Sequence, residues 1–312
     1  MAAARAIQIR RRAWHGNVRG IPCRCRCNLI SKLDQQDREM VVMKESTRLL
    51  FFGGGNMGSA LIRGVRQALP NLKLILVDPD VGRVEDAVRG LQGVSILPDA
   101  PSSSSGYDLL VLAVKPQNVA TFSDGHRRLL AESPVLSVMA GMPLGRLMEV
   151  CGSARVARVM PNLPAFVGQG TSLGVTGQTF PISAKTAVEQ VFAPVGKFEW
   201  VVDAALIDKA MPFYACAPRY IFAFAEQRRK RLARLDFDTE FAQLLVAQTM
   251  LGSAAMLAAD PRSPSELKRA VISPGGTTEA GVIEMEREGA LPKIVRAATS
   301  AAYRRSVELR KS

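Results

Sequence analysis

The chain has 312 residues, 47% of them hydrophobic, and its 41 lysines and arginines outnumber 28 acids to give a formal charge of +13. That length holds two domains with buried cores, and no uninterrupted apolar run reaches the roughly 18 residues of a membrane helix, so the expectation is a protein without a membrane partner. Two histidines, His15 and His126, exclude a His-rich metal site, and Cys23, Cys25, Cys27, Cys151 and Cys216 form neither a C-x₂-C zinc pair nor a disulfide framework, which points to no metal and a reducing compartment.

Eight basic residues, Arg5, Arg10, Arg11, Arg12, Arg19, Arg24, Arg26 and Lys32, precede the first acid, Asp34. Residues 1–46 have no hydrophobic periodicity. They read as a disordered basic tail of transit-peptide or arm type, or as an upstream extension of a chain whose translation starts at Met40 or Met43. Leu49–Phe52 then predicts a buried strand, and residues 57–69 predict a helix with Met57, Ala60, Leu61, Val65, Ala68 and Leu69 on one face. A strand over 72–77 stops at Asp78-Pro79-Asp80, a short helix follows over 81–91, and Ser102–Gly106 is a loop. The third strand, 109–114, is apolar throughout, as in a sheet covered on both faces. A helix over 118–131, a strand over 135–139 and short strands near 156–159, 171–175 and 198–202 complete the pattern. The β-α-β-α-β alternation implies an α/β, Rossmann-like, doubly wound and mostly parallel sheet over residues 47–202.

The composition changes near Asp203. Residues 203–312 are rich in Ala, Leu and Arg, with helices expected over 204–232, 236–258, 264–272, 277–287 and 291–310, which makes an all-α second domain. The segment 241–258 is apolar on more than one side, consistent with burial between subunits or in a monomer core.

Two glycine-rich stretches carry the chemistry. Gly53-Gly54-Gly55-Asn56-Met57-Gly58 lies between a strand and a helix, and an acid, Asp78, ends the next strand. Glycines there let a backbone approach a pyrophosphate, and the helix start supplies N–H donors. Asp78 would accept from a ribose 2′-hydroxyl and repel a 2′-phosphate, a repulsion that Arg83 offsets; alternatively, Asp78 caps the helix starting near Val81. Lys115-Pro116-Gln117 follows the third strand at the edge where ligands sit in open α/β sheets, and Ala140-Gly141 gives small residues against which a nicotinamide can lie, or a simple turn. Ser273-Pro274-Gly275-Gly276-Thr277-Thr278 precedes a helix and forms a rim of N–H and hydroxyl donors suited to a carboxylate, or an ordinary helix cap. The basic run Arg228-Arg229-Lys230-Arg231 reads as a solvated helix face, with no interleaved aromatics for a nucleic acid.

With these motifs in place the chain resembles the pyrroline-5-carboxylate reductase family from about Leu49 to its C-terminus. The resemblance rests on Phe52–Met57, Ala113–Gln117, Met160-Pro161-Asn162, Ala205–Asp208 and Leu267–Gly281. It implies NADP, or NAD in its place, held by Phe52, Gly53, Gly54, Gly55, Asn56, Met57, Asp78, Ala113, Val114, Lys115, Pro116, Ala140 and Gly141. It also implies a cyclic imino acid held by Ser273, Gly275, Gly276 and Thr277, with Thr278 as the catalytic residue beside the ring nitrogen. The implied product is proline. The implied assembly is a cytoplasmic homodimer or ring of dimers in which the helical domain dimerises and the partner completes each site. Phe213–Tyr220 departs from the family's Ser-Gly-Ser-Gly-Pro-Ala-Tyr pattern, with Arg219 at a small-residue position, and Leu163 replaces a usual Thr. Those departures keep two alternatives in view: a reductase of another cyclic imine, and a cofactor-binding protein without catalysis.

Overall fold

The computed structural model describes residues 47–101 and 106–309. The expected basic tail and most of the Ser102–Gly106 loop lie outside the described residues. Two compact units are present: residues 47–227 with 284–309, and residues 228–283.

The first unit is built on one eight-stranded sheet. In chain order it contains β1 (Leu49–Phe52), α1 (Asn56–Ala68), β2 (Leu74–Val77), α2 (Val81–Ala87), β3 (Val94–Leu97), β4 (Leu109–Leu112), α3 (Val119–Glu132), β5 (Val135–Ser137), α4 (Leu144–Cys151), β6 (Val156–Met160), β7 (Gly170–Thr176), α5 (Ile182–Phe192) and β8 (Gly196–Trp200). The strand order is β3-β2-β1-β4-β5-β6-β7-β8. The first six strands run parallel, β7 is antiparallel to β6, and β8 is parallel to β7. The order reverses between β1 and β4, which opens a crevice at their C-terminal ends.

Alternation along the strands supplies both faces of the sheet. Leu49 and Phe51 point to one side, where Leu61, Ile62 and Val65 of α1 pack with Val188, Val191 and Phe192 of α5. Leu50 and Phe52 point to the other, against Val119, Leu129 and Leu130 of α3 and Leu147 of α4. Both faces being covered explains why β1 and β4 are apolar at every position.

The helical region departs from expectation at one point. The helix expected over 204–232 is two helices, α6 (Ala204–Tyr214) and α7 (Ala217–Ala233). Pro218 stands in the first turn of the new helix, where its missing N–H leaves no intrahelical bond unmade, whereas Pro212 is carried inside α6 near its end. Within the first unit α6 packs on α11 (Ala290–Leu309) and on β7.

The second unit holds the end of α7, then α8 (Thr239–Ala259), α9 (Pro264–Ala270) and the start of α10 (Thr277–Glu286). Asp238 caps α8 through the Phe241 N–H, and Ser263 and Glu266 form a reciprocal capping box on α9. α8 has 21 residues and is long and apolar enough to cross a bilayer by length and composition. The expectation that no uninterrupted apolar run reaches about 18 residues concerns continuity, and α8 passes only on its average. Scattered polar residues such as Gln243, Gln248 and Ser253 break any continuous apolar run yet leave the average high.

Candidate active site

β1 ends at Phe52, and the chain turns at Gly53, whose φ of +94° lies in the left-handed region. The Gly53 amide donates to the Val77 carbonyl at 2.9 Å. A Cβ at Gly53 would lie 2.6 Å from the Ala113 carbonyl oxygen, and one at Gly58 would lie 2.1 Å from the Gly53 carbonyl oxygen. These two glycines let α1 and β4 close on the loop. Gly55 is different. Its φ of −65° suits any residue, and a Cβ there would meet nothing within 4 Å. No side chain caps α1 and its first turn carries no acid, so its leading N–H groups form a positive dipole end without a side-chain acceptor. That combination fits the pyrophosphate of a dinucleotide.

Asp78 follows β2 and is buried. Its Oδ2 accepts the Gly54 N–H at 2.8 Å and Arg83 Nη2 at 2.9 Å, while its Oδ1 accepts the Asp80 N–H at 3.0 Å. It does not cap α2. Asp80 does, accepting from the Arg83 N–H at 3.2 Å, because the helix begins at Val81 and the cap is the residue just before it.

The remaining residues expected to face a cofactor lie at the same edge. The Ala113 N–H donates to the Phe52 carbonyl at 2.8 Å, and the Val138 N–H to Leu112 at 3.0 Å, so the ends of β1, β4 and β5 are laced together. Val114 is partly buried. Lys115 is exposed and precedes Pro116, which opens a short 3₁₀ turn. Ala140 is exposed and Gly141 has a φ of +75°. Asn56 is exposed and Met57 partly buried. Phe52 is buried against Phe122 and His126, with ring centroids 4.7 and 5.0 Å away.

Beside this edge, the elbow between α6 and α7 is tied to the end of β6. The Tyr214 hydroxyl donates to the Met160 carbonyl at 2.9 Å, and Asn162 Nδ2 donates to the Tyr214 carbonyl at 3.0 Å while its Oδ1 accepts from Thr171 at 2.8 Å. Burial pushes the Tyr214 phenol well above its usual range, so it stays a proton donor. Beneath it Arg158 and Asp208 form a buried ion pair at 3.0 Å. Sequence reasoning missed these ties; the signal was the Asn of Met160-Pro161-Asn162. Arg219 is exposed in the first turn of α7 and, among the described residues, its side chain has no hydrogen-bond or ion-pair partner.

In the second unit, Ser273-Pro274-Gly275-Gly276 leads into α10, and Gly275 has a φ of +70°. The Gly276 N–H donates to the Ser273 carbonyl at 2.9 Å. The Gly275 N–H donates to the Glu279 carboxylate at 2.7 Å, so this loop already binds a carboxylate oxygen of its own chain. Thr277 and Thr278 are exposed at the helix start.

The comparisons with known proteins divide the chain in the same order. Residues 48–141 match a family described as NADP oxidoreductase, coenzyme F420-dependent, and residues 204–309 match one described as pyrroline-5-carboxylate reductase dimerisation. The chain is 32% identical to a pyrroline-5-carboxylate reductase of Pseudomonas aeruginosa, over 84% of this chain and 96% of the relative. It is 31% identical to the pyrroline-5-carboxylate reductase of Pisum sativum, again over 84% and 96%. A solved pyrroline-5-carboxylate reductase from Coxiella burnetii superposes with a TM-score of 0.77 at 28% identity, covering 86% of this chain and all of that one. A Plasmodium falciparum pyrroline carboxylate reductase with NADP bound superposes with a TM-score of 0.74 at 26% identity, covering 85% and 99%.

Proposed function

We propose that this chain, which belongs to the pyrroline-5-carboxylate reductase family, reduces the cyclic imine 1-pyrroline-5-carboxylate to proline with NADPH, and with NADH less well. The observation that carries this reading is the uncapped, acid-free start of α1 in front of the open space at Gly55, in a chain that matches such reductases over nearly their whole length.

The cofactor supplies the hydride that reaches the imine carbon. Gly55, Asn56 and Met57 hold its pyrophosphate, Phe52, Ala113, Val114, Lys115 and Pro116 line its path, and Ala140 and Gly141 leave room for a flat ring. Gly275, Gly276, Thr277 and Ser273 hold the substrate carboxylate, and Thr278 hydrogen-bonds the ring nitrogen, which stays in the ring, gains a proton and becomes a secondary amine. A cyclic imine takes up a proton readily near neutral pH, so the residues need only hold the two partners in line. On this reading residues 47–202 bind the cofactor and residues 203–312 hold the substrate and dimerise, giving a cytoplasmic homodimer or ring of dimers with neither nucleic acid nor membrane as partner.

The test is the purified chain with racemic pyrroline-5-carboxylate, following the near-ultraviolet absorbance of NADPH together with proline formed. Equal consumption of NADPH and appearance of proline is expected. Tight cofactor binding with no turnover would instead make the chain a non-catalytic binder. Exposed Arg219 at a tethered elbow favours one second reading, a reductase of another cyclic imine. Normal turnover retained in Arg219→Ala removes it.

A further inference from the structure

Resting on the cofactor reading above, we infer that Arg83 is the residue that reads the cofactor's 2′-phosphate, and that Asp78 positions Arg83 and the glycine-rich loop and does not itself read the ribose. An acid that ends the second strand of such a sheet ordinarily offers its free lone pairs to the ribose 2′-hydroxyl. Asp78 is not free to do so. It is 7% exposed and already accepts three hydrogen bonds, from Gly54, Asp80 and Arg83.

Arg83 lies over that carboxylate. Its Nη2 donates to Asp78 Oδ2 at 2.9 Å, its Nη1 to the Gly54 carbonyl at 3.3 Å and its Nε to Asp80 Oδ2 at 3.2 Å. A guanidinium carries five N–H donors in a rigid fork, so each terminal nitrogen keeps one unengaged. The side chain is 48% exposed, so those remaining donors are within reach of a phosphate. Three separate acceptors hold the fork still, so little side-chain freedom remains to be lost when a phosphate arrives. The contact to the Gly54 carbonyl joins this reader to the pyrophosphate loop, which places the two phosphate-binding elements on one hydrogen-bonded frame. Asp80 is the opposing element. It is exposed, caps α2, and brings a negative charge beside the fork, which weakens the attraction for a phosphate.

The test is equilibrium binding of NADPH, NADH and the fragment 2′,5′-ADP to the full-length chain, read by titration calorimetry and so independent of turnover. The unmodified chain is expected to bind NADPH more tightly than NADH. Arg83→Ala should weaken NADPH and 2′,5′-ADP by about tenfold or more, the loss of hydrogen bonds to a charged group, and leave NADH within about twofold. Asp80→Asn keeps a good helix cap and should tighten NADPH while NADH is unchanged. Asp78→Asn should weaken both dinucleotides, NADPH more than NADH. An Arg83→Ala protein that loses both dinucleotides equally, or an Asp80→Asn protein with unaltered NADPH affinity, overturns the inference. An unmodified chain that binds neither dinucleotide overturns the cofactor reading, and this inference with it.

Discussion

A Cβ at Gly53 would collide with the Ala113 carbonyl, whereas one at Gly55 would enter open space. The same residue type therefore serves chain closure at Gly53 and, on the proposed reading, ligand approach at Gly55. Gly55→Val should weaken NADPH by about tenfold or more in calorimetry, since it denies a charged ligand at least one hydrogen bond. Its stability should fall by no more than about 1 kcal/mol, the difference expected for an apolar residue at a helix N-cap. Unchanged affinity would make the loop a turn and nothing more. At the loop proposed to hold the substrate, Glu279 occupies the Gly275 N–H with its own carboxylate. Glu279→Ala should free that donor and remove a like charge from beside an acidic substrate, lowering KM by up to about fivefold with kcat little changed, as suits an exposed charge. A raised KM would mean that Glu279 instead holds the loop in shape. The glycines and threonines of both loops were legible from spacing alone, because the backbone demands that produce them are local. The partners of Asp78 were not, since Gly54 is 24 positions away in sequence and Arg83 could be weighed only as a nearby charge.

Among the elements, those the sequence revealed are those with a complete pattern. β1 and β4 are buried at every position and α1 buries one face, so run length and period identify them. β3 is an edge strand with Ser95 exposed and its other residues half-buried, which gives too weak a pattern to separate from a loop. α4 buries only Leu147 and Cys151. α5 went unread although Ala184, Ala187, Val188, Val191 and Phe192 fall at helical spacing, and its start after Pro181 lacks a side-chain cap. The tie between α6 and the sheet was beyond sequence, because Arg158 and Asp208 are 50 residues apart. Both side chains are under 5% exposed, and Arg158 Nε and Nη1 have no partner among the described residues. Asp208→Ala would leave a buried guanidinium uncompensated and should cost about 3–5 kcal/mol in urea unfolding, whereas Arg158→Met with Asp208→Leu should recover most of it. A loss under about 1 kcal/mol in the single variant would show that water reaches the pair.

On the scale of the whole molecule, α8 poses the question that sequence left open, burial within a chain or between chains. In the single chain Ala242 and Val246 are the buried residues of α8, while Leu244, Leu251 and Leu257 are each more than half exposed. Ile221, Phe222 and Phe224 of α7 are at least half exposed as well. Apolar side chains exposed in this number mark a surface awaiting a partner. The match of residues 204–309 to a dimerisation family supports oligomerisation, and on the proposed reading a second subunit covers this helix. Apart from Arg219 in its first turn, the lysines and arginines of α7 gather at its C-terminal end, Arg228 to Arg231, where the helix dipole favours them. A charge placed at the middle of α8 should therefore break the assembly without unfolding the subunit. Leu251 is 65% exposed, so Leu251→Glu removes little packing inside the chain. Sedimentation velocity should show the variant shifted toward the monomer, with far-ultraviolet dichroism unchanged. A glutamate accepted with no change in sedimentation would count against α8 as the subunit contact and in favour of the exposed face of α7.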